Sequence, residues 1–142
     1  MTRLRVVLIG GVFVAMLAWA LPAMAHPART QGTTISVVAA PNHNEFSFKL
    51  SSSKSAPGSI TFSMTNTGTL PHDIRICTKA LTSSQMKSLP NTCSAGVSSA
   101  TISPGAPATK VKATLTAKGA YEYLCTLPGH AAGGIKGIFT IT

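Results

Sequence analysis

Acidic side chains are almost absent from this sequence. Its 142 residues include 12 Lys and Arg but only 3 Asp and Glu, namely Glu45, Asp73 and Glu122. Hydrolases that use one carboxyl group as acid and another as base need two of them at one site, so three in the whole chain nearly exclude that chemistry. The sequence also lacks a Gly-rich phosphate loop and a Ser-His-Asp arrangement with a usable acid.

The shortage of acid leaves the chain strongly basic, with a formal net charge of +9. A basic surface favours an anionic partner, such as a protein with an acidic surface or a lipid headgroup. The Lys and Arg residues do not cluster, which argues against nucleic acid as the partner. Simple solubility of an exported protein explains the charge equally well.

The amino-terminal segment 1–25 predicts a secretory signal peptide. It has a positive start with two arginines, an apolar run over 6–21 and a small-x-small cleavage site at Ala23-Met24-Ala25. An uncleaved anchor is the alternative, but the apolar run is short for a membrane span and contains two glycines. Cleavage would place the protein in the periplasm or outside the cell, with 26–32 as a flexible terminus and 33–142 as one domain.

Cysteine is scarce, and the count of three is odd for an exported protein. Cys77 and Cys93 can pair as a disulfide in an oxidising compartment, which leaves Cys125 as a free thiol. A free thiol is open to oxidation there unless it is protected. Coordination to a metal ion protects it as a thiolate, so the count favours Cys125 as a metal ligand.

Short stretches of alternating apolar and polar residues, separated by Gly and Pro turns, predict β-strands. The predicted strands are 33–39, 45–50, 59–65, 73–77, 110–115, 120–125 and 137–142, with a weaker one at 96–102. Residues 80–89 have apolar side chains loosely at helical spacing and predict a short helix or ordered loop, its ends tied by the disulfide. Seven or eight short strands of this kind predict an all-β sandwich.

Two separated motifs contain soft and imidazole ligands. Cys125 and His130 are separated by four residues in a Pro-Gly loop, and His72 lies far upstream in a second Pro-containing turn. One thiolate with two imidazoles in a trigonal arrangement is the donor set of a blue-copper electron-transfer site. Zinc also binds Cys and His, but structural zinc normally has a fourth ligand, and none is obvious here. We expect His43 at the surface, and His26 beside Pro27 to be an accidental terminal histidine.

These motifs are similar to those of the cupredoxins, the plastocyanin and azurin type of blue copper protein. The similar pieces, which together cover roughly 33 to 142, are the strand 58–66, the turn Pro71-His72-Asp73, and the Cys125-x4-His130 loop followed by Gly133-Gly134. The resemblance implies a Greek-key β-sandwich and one type 1 copper ion bound by His72, Cys125 and His130. It also implies a monomeric one-electron carrier, with neither enzymatic activity nor a small-molecule substrate.

The resemblance also implies roles for residues beside the ligands. Asp73 stands where the family has an Asn or Asp whose side chain links the two ligand-bearing loops, and its backbone N–H is the expected donor to the Cys125 sulfur. Thr126 and Pro128 are expected to support the ligands. Redox partners would dock on an apolar patch at the edge of His130, formed by Leu70, Pro71, Leu127, Pro128, Ala131 and Ala132.

One position departs from the family pattern. Cupredoxins usually have a methionine five residues after the loop histidine, as a weak axial ligand, and this chain has Ile135, which cannot coordinate. A high reduction potential is therefore expected. Met64 lies in the middle of a strand and is expected to pack in the core. The alternatives are a copper-binding module for metal handling or storage, and a cupredoxin-like interaction domain without copper.

Overall fold

A computed structural model describes residues 32–91 and 93–142, so the predicted signal peptide and His26 lie outside the described residues. The described chain forms two β-sheets. In chain order the strands are β1 (Thr33–Ala39), β2 (Phe48–Leu50), β3 (Lys54–Ser55), β4 (Gly58–Asn66), β5 (Arg75–Cys77), β6 (Gly96–Ser98), β7 (Thr109–Leu115), β8 (Gly119–Leu124) and β9 (Lys136–Ile141). One sheet has the order β2-β1-β4-β7 and the other β3-β9-β8-β5-β6.

The register brings distant parts of the chain together. β1 pairs in parallel with β4 along its whole length, and β4 pairs with β7 in antiparallel fashion. In the second sheet β8 pairs antiparallel with both β9 and β5. The ends of β5 and β8 therefore lie side by side, so the chain segments that precede β5 and follow β8 meet at one end of the sandwich.

The core lies between the two sheets. Alternation along β4 points Ile60, Phe62 and Met64 inward, each at most 1% exposed, as expected for a strand with one buried face. Phe62 contacts Phe139 of β9 edge to face, with ring centroids 5.2 Å apart, and so joins the two sheets. Truncation of such a buried ring to alanine typically costs about 3–5 kcal/mol. Met64 packs in this core, as the sequence predicted.

The structure has nine strands in the described ranges, and the differences from the sequence prediction are local. The strand predicted over 45–50 begins only at Phe48, because residues 45–47 form a loop in which the carbonyl of Ser47 accepts from the Ala40 N–H. β3 is only two residues long and was not predicted. The region 96–102 contains the short β6 and an isolated bridge between Ile102 and His72.

The segment between β5 and β6 lies against the second sheet. It contains a short helix, α1 (Ser83–Met86), with a capping box between Thr82 and Gln85, and a disulfide joins Cys77 to Cys93, the pairing expected from the sequence. The backbone N–H of Asn91 donates to the Glu122 carboxylate at 3.0 Å. No helix in the described part of the chain has the length and apolar character needed to cross a membrane.

Candidate metal centre

The three predicted ligands come from segments that the sheet topology brings together. His72 precedes β5 and is held by two backbone hydrogen bonds to Ile102, of 3.1 and 2.8 Å. Cys125 directly follows β8, and its N–H donates to the carbonyl of Ile135 at 3.0 Å. His130 begins the short helix α2 (His130–Gly133), and its N–H donates to the carbonyl of Leu127 at 3.1 Å. The backbone thus fixes each ligand separately.

His72, Cys125 and His130 form one compact cluster. One ligand atom from each residue lies within 4.8 Å of the others. The Sγ atom of Cys125 is 3.5 Å from Nδ1 of His130, and the two imidazole centroids are 5.1 Å apart. His72 and Cys125 are 0% and 1% exposed, whereas His130 is half-buried. One soft sulfur and two imidazole nitrogens at this spacing fit a trigonal copper site.

The two ring nitrogens of His72 have different surroundings. Nε2 lies 3.5 Å from Oε2 of Glu45. Nδ1 is buried and has no hydrogen-bond partner among the described residues. A buried polar atom without a partner is costly to a fold, and a nitrogen lone pair in that position is suited to a metal ion. The orphan nitrogen therefore supports a metal-binding role for the cluster.

Burial sets the protonation of the ligands in the metal-free protein. It raises the pKa of the Cys125 thiol to about 11, although the backbone N–H groups of Asp73 and Leu127 act on the thiol in the opposite direction. Burial also lowers the pKa of His72 below its usual 6.5, against the opposing effect of Glu45. At neutral pH the cluster consequently holds a neutral thiol and a neutral His72. Metal binding has to remove the thiol proton.

Asp73 joins the two ligand-bearing segments. Its Oδ1 accepts from the backbone N–H of Thr126 at 2.6 Å, and its Oδ2 accepts from the Thr126 hydroxyl. Asp73 is 5% exposed. The link between the loops therefore runs from Asp73 to Thr126. Thr126 and Pro128 are both exposed to solvent.

Glu45 and Asn66 hold the turn before His72, and sequence reasoning assigned neither of them to the site. The Glu45 carboxylate accepts from the N–H of Thr69 at 2.6 Å, and this hydrogen bond is the largest effect that holds the pKa of Glu45 below 4.5. Buried Asn66 donates to the carbonyls of Leu70 and Ile102 at 2.8 and 3.1 Å. The sequence offered one signal for a role of Glu45, namely that acidic residues are rare in this chain and Glu45 is one of only three.

Phe46 covers one side of the His130 loop and was also missed. Its ring meets the His130 ring edge to face, with centroids 6.0 Å apart. A Cβ added at Gly133 would lie 2.6 Å from the Phe46 ring, so the glycine permits this close approach. Phe46 and Leu70 are 46% and 39% exposed. The exposed apolar surface near His130 therefore includes Phe46 from a distant loop.

The remaining candidates take different places. Ile135 is fully buried, and its backbone is hydrogen-bonded to both Cys125 and His130. His43 is exposed and lies outside the cluster. Among the expected patch residues, Pro71, Pro128 and Ala132 are exposed, while Leu127 and Ala131 are half-buried.

Known proteins share both the sequence pattern and the fold. The sequence profile of the copper binding proteins of the plastocyanin/azurin family matches residues 35–142. No curated protein sequence matched the chain.

Three solved structures of auracyanins have a similar fold. A dithionite-reduced auracyanin from the photosynthetic bacterium Roseiflexus castenholzii has a TM-score of 0.58 at 23% identity, over 78% of this chain and 98% of that chain. Auracyanin A, a "blue" copper protein of the green thermophilic photosynthetic bacterium Chloroflexus aurantiacus, has a TM-score of 0.56 at 20% identity, over 79% and 100%. Auracyanin B has 0.55 at 20%, over 83% and 91%. At these identities the likeness shows the fold.

Proposed function

We propose that this chain, which belongs to the plastocyanin/azurin family of copper-binding proteins, is an exported one-electron carrier whose metal ligands are His72, Cys125 and His130. Its cofactor is one type 1 copper ion, which when bound supplies a one-electron couple between Cu(II) and Cu(I). The observation that carries the proposal is the meeting of one thiol and two imidazoles within 4.8 Å at one end of the sandwich.

The protein's contribution to electron transfer is to hold these side chains in place. His72 is fixed by its bridge to Ile102, and Cys125 by its hydrogen bond to Ile135. The Asp73 carboxylate ties Thr126, which follows Cys125, to the segment of His72. Preorganised ligands need little rearrangement when the charge of the centre changes by one, and small rearrangement favours rapid transfer.

His130 is the proposed point of electron exit. It is the half-buried member of the cluster, whereas the other two ligands are almost fully buried. The exposed side chains of Phe46 and Leu70 give this end of the molecule an apolar surface that a redox protein can approach closely without desolvating charge. The basic net charge favours a partner with an acidic surface.

Ile135 is proposed to occupy the axial position and to raise the reduction potential. Its backbone contacts to Cys125 and His130 and its complete burial support a place next to the ligands. An isoleucine offers no donor atom and excludes water, and both effects favour the ion of lower charge. We therefore propose a carrier of high potential.

The proposed role is that of a carrier and not of an enzyme. Each of the chain's three carboxylates accepts a hydrogen bond from a backbone N–H, so each is engaged in holding loops together. The Cys77–Cys93 disulfide supports export to an oxidising compartment such as the periplasm. A monomer acting on protein partners, without a small-molecule substrate, completes the proposal.

An optical and redox titration of the mature protein with copper tests this function. We expect an intense blue band that disappears with a reductant and returns with an oxidant, and that is absent from Cys125→Ser, because a hydroxyl is a poor substitute for thiolate. Tight binding of Cu(I) without a stable blue Cu(II) form would instead indicate a module for copper handling. A blue band in Cys125→Ser would contradict the assignment of Cys125.

A further inference from the structure

Glu45 contacts the proposed copper ligand His72 from a segment that supplies no ligand. Its Oε2 lies 3.5 Å from Nε2 of His72, which is longer than a typical N–H···O hydrogen bond of about 2.7–3.2 Å but close enough for a direct electrostatic contact. His72 is fully buried, and the Glu45 side chain is 19% exposed. An acidic residue is thus placed against a buried imidazole in a chain that has only three acidic residues.

The turn before His72 holds the carboxylate in this position. Oε1 accepts from the N–H and the hydroxyl of Thr69 at 2.6 and 2.8 Å, and Oε2 accepts from the N–H of Leu70 at 3.3 Å. A Cβ at Gly68 would collide with the carboxylate, so the absence of a side chain there makes room for it. The position of Glu45 is therefore set by the backbone of the turn and does not depend on His72.

This geometry distinguishes the two neutral forms of the imidazole. With its proton on Nε2, His72 donates to the carboxylate and leaves the lone pair of Nδ1 free. With its proton on Nδ1, the ring would direct a lone pair at a carboxylate and place a donor where no described residue accepts it. The nearby carboxylate and the lack of an acceptor at Nδ1 both favour the tautomer with its proton on Nε2.

We propose that Glu45 is a positioning residue that holds His72 in the Nε2–H tautomer and, as an anion, lowers the reduction potential of the copper site. The inference rests on the proposed function and deepens it. A carboxylate that accepts the second N–H of a ligating histidine fixes the ring and raises its basicity as a ligand. Added negative charge favours Cu(II) over Cu(I), which is the direction opposite to that proposed for Ile135.

The metal-free protein provides the first test, by nitrogen-15 NMR of the His72 ring. In the wild type we expect the signals of a single tautomer protonated at Nε2. Glu45→Gln should change this distribution, because one of the two carboxylate oxygens becomes an NH2 group, so the side chain can no longer accept at both the Thr69 position and the His72 position. A wild-type ring protonated at Nδ1 would overturn the tautomer assignment, and a distribution unchanged by Glu45→Gln would overturn the role of Glu45 in holding it.

The copper-loaded protein provides the second test, by measurement of the reduction potential. Glu45→Gln should raise the potential, because the substitution removes a negative charge beside His72. Thr69→Val is the matched control: it removes one hydrogen bond to Glu45 but leaves the contact with His72, so its potential should stay close to that of the wild type.

The outcomes separate this inference from the function on which it rests. A blue wild-type protein whose potential is unchanged in Glu45→Gln would overturn the electrostatic role and leave the electron-carrier function in place. Equal shifts in Glu45→Gln and Thr69→Val would show that Glu45 acts only as a brace of the turn. A wild-type protein that forms no blue site would refute the carrier function, and the NMR experiment would still decide the tautomer.

Discussion

The Asp73 carboxylate accepts two hydrogen bonds from Thr126, a residue 53 positions further along the chain. Each partner directly follows a proposed copper ligand, His72 or Cys125. The hydrogen bonds therefore connect the two ligand-bearing segments at the level of their backbones. The link uses none of the proposed ligand atoms, so it can hold the two segments together without occupying a donor of the metal site.

Asp73→Ala should lower the free energy of unfolding of the metal-free protein by about 1.5–3 kcal/mol. Hydrogen bonds to a charged acceptor contribute roughly this amount, and alanine removes both bonds that Thr126 donates to the buried Asp73 carboxylate. Urea unfolding followed by circular dichroism measures the change. Asp73→Asn is the control, because its amide oxygen can still accept from the Thr126 N–H; a loss as large as that of alanine, or no loss in either variant, would contradict the link.

The strands that the sequence predicted well have a pattern that tertiary contacts do not disturb. Ile60, Phe62 and Met64 alternate with polar residues, and β4 buries that face against the opposite sheet. The ligand motifs were equally easy to predict, since Cys125 and His130 lie in one loop. Their chemistry depends on the residue type and on spacing, which the sequence states directly.

Contacts between residues far apart in the chain could not be predicted from alternation patterns or motif spacing. Glu45 begins an alternating stretch that favours a strand, but its carboxylate binds backbone N–H groups of a turn that begins more than twenty residues later. Glu122 occupies the polar position between two tyrosines of β8 and reads as solvent-facing. It is 1% exposed because Asn91 and the disulfide-tied segment cover that face. No local sequence pattern predicts the contacts of Glu45 or the burial of Glu122.

Cys125 should be the single thiol of the metal-free protein, and it should react slowly while the protein is folded. Thiol reagents attack the thiolate, and burial raises the pKa of Cys125 to about 11 from 9.0. This shift alone lowers the thiolate fraction at pH 8 by about a hundredfold, and burial of the sulfur slows the reaction further. Ellman's reagent, applied with and without denaturant, measures both the count and the rate.

Denatured, unreduced protein should show one reactive thiol and, after reduction, three. Cys125→Ala is the control, and it should show none before reduction. Three thiols without reduction would exclude the disulfide between Cys77 and Cys93. An equally fast reaction in the folded and denatured states would show that the Cys125 sulfur is accessible.

The metal-free protein should be most stable between about pH 6.5 and 9. Burial lowers the pKa of His72 below 6.5, so the folded state binds fewer protons and stability falls as the pH drops below that value. Burial raises the pKa of Cys125 from 9.0 to about 11, so the folded state retains the proton and stability falls as the pH rises through this range. Urea midpoints measured across the pH range define the acid limb and the alkaline limb of this stability profile.

Two variants assign the limbs to these residues. His72→Gln should flatten the loss of stability below pH 6.5, and Cys125→Ala should flatten the loss of stability above pH 9. Glu45 adds a separate loss of stability below about pH 4.5. The Thr69 N–H holds the pKa of Glu45 below that value in the folded protein, and protonation of the carboxylate weakens this hydrogen bond. An acid limb that is unchanged in His72→Gln would show that another group controls it.

Ile135→Met should lower the reduction potential of the copper-loaded protein. Ile135 is fully buried, and its backbone is hydrogen-bonded to the backbones of Cys125 and His130. A methionine at this position would therefore be held beside the ligands. A thioether is a weak donor that stabilises Cu(II) more than Cu(I), whereas the methyl groups of isoleucine donate nothing. Protein-film voltammetry of the two proteins measures the shift.

Ile135→Leu separates coordination from packing. Leucine keeps the volume and the apolar character of isoleucine without adding a donor, so its potential should remain close to that of the wild type, while methionine lowers it. If leucine and methionine shift the potential equally, the effect comes from repacking around the buried side chain. If methionine leaves the potential unchanged or raises it, residue 135 does not lie over the copper ion. The axial position would then belong to another atom, and the high potential proposed for this carrier would lose its structural basis.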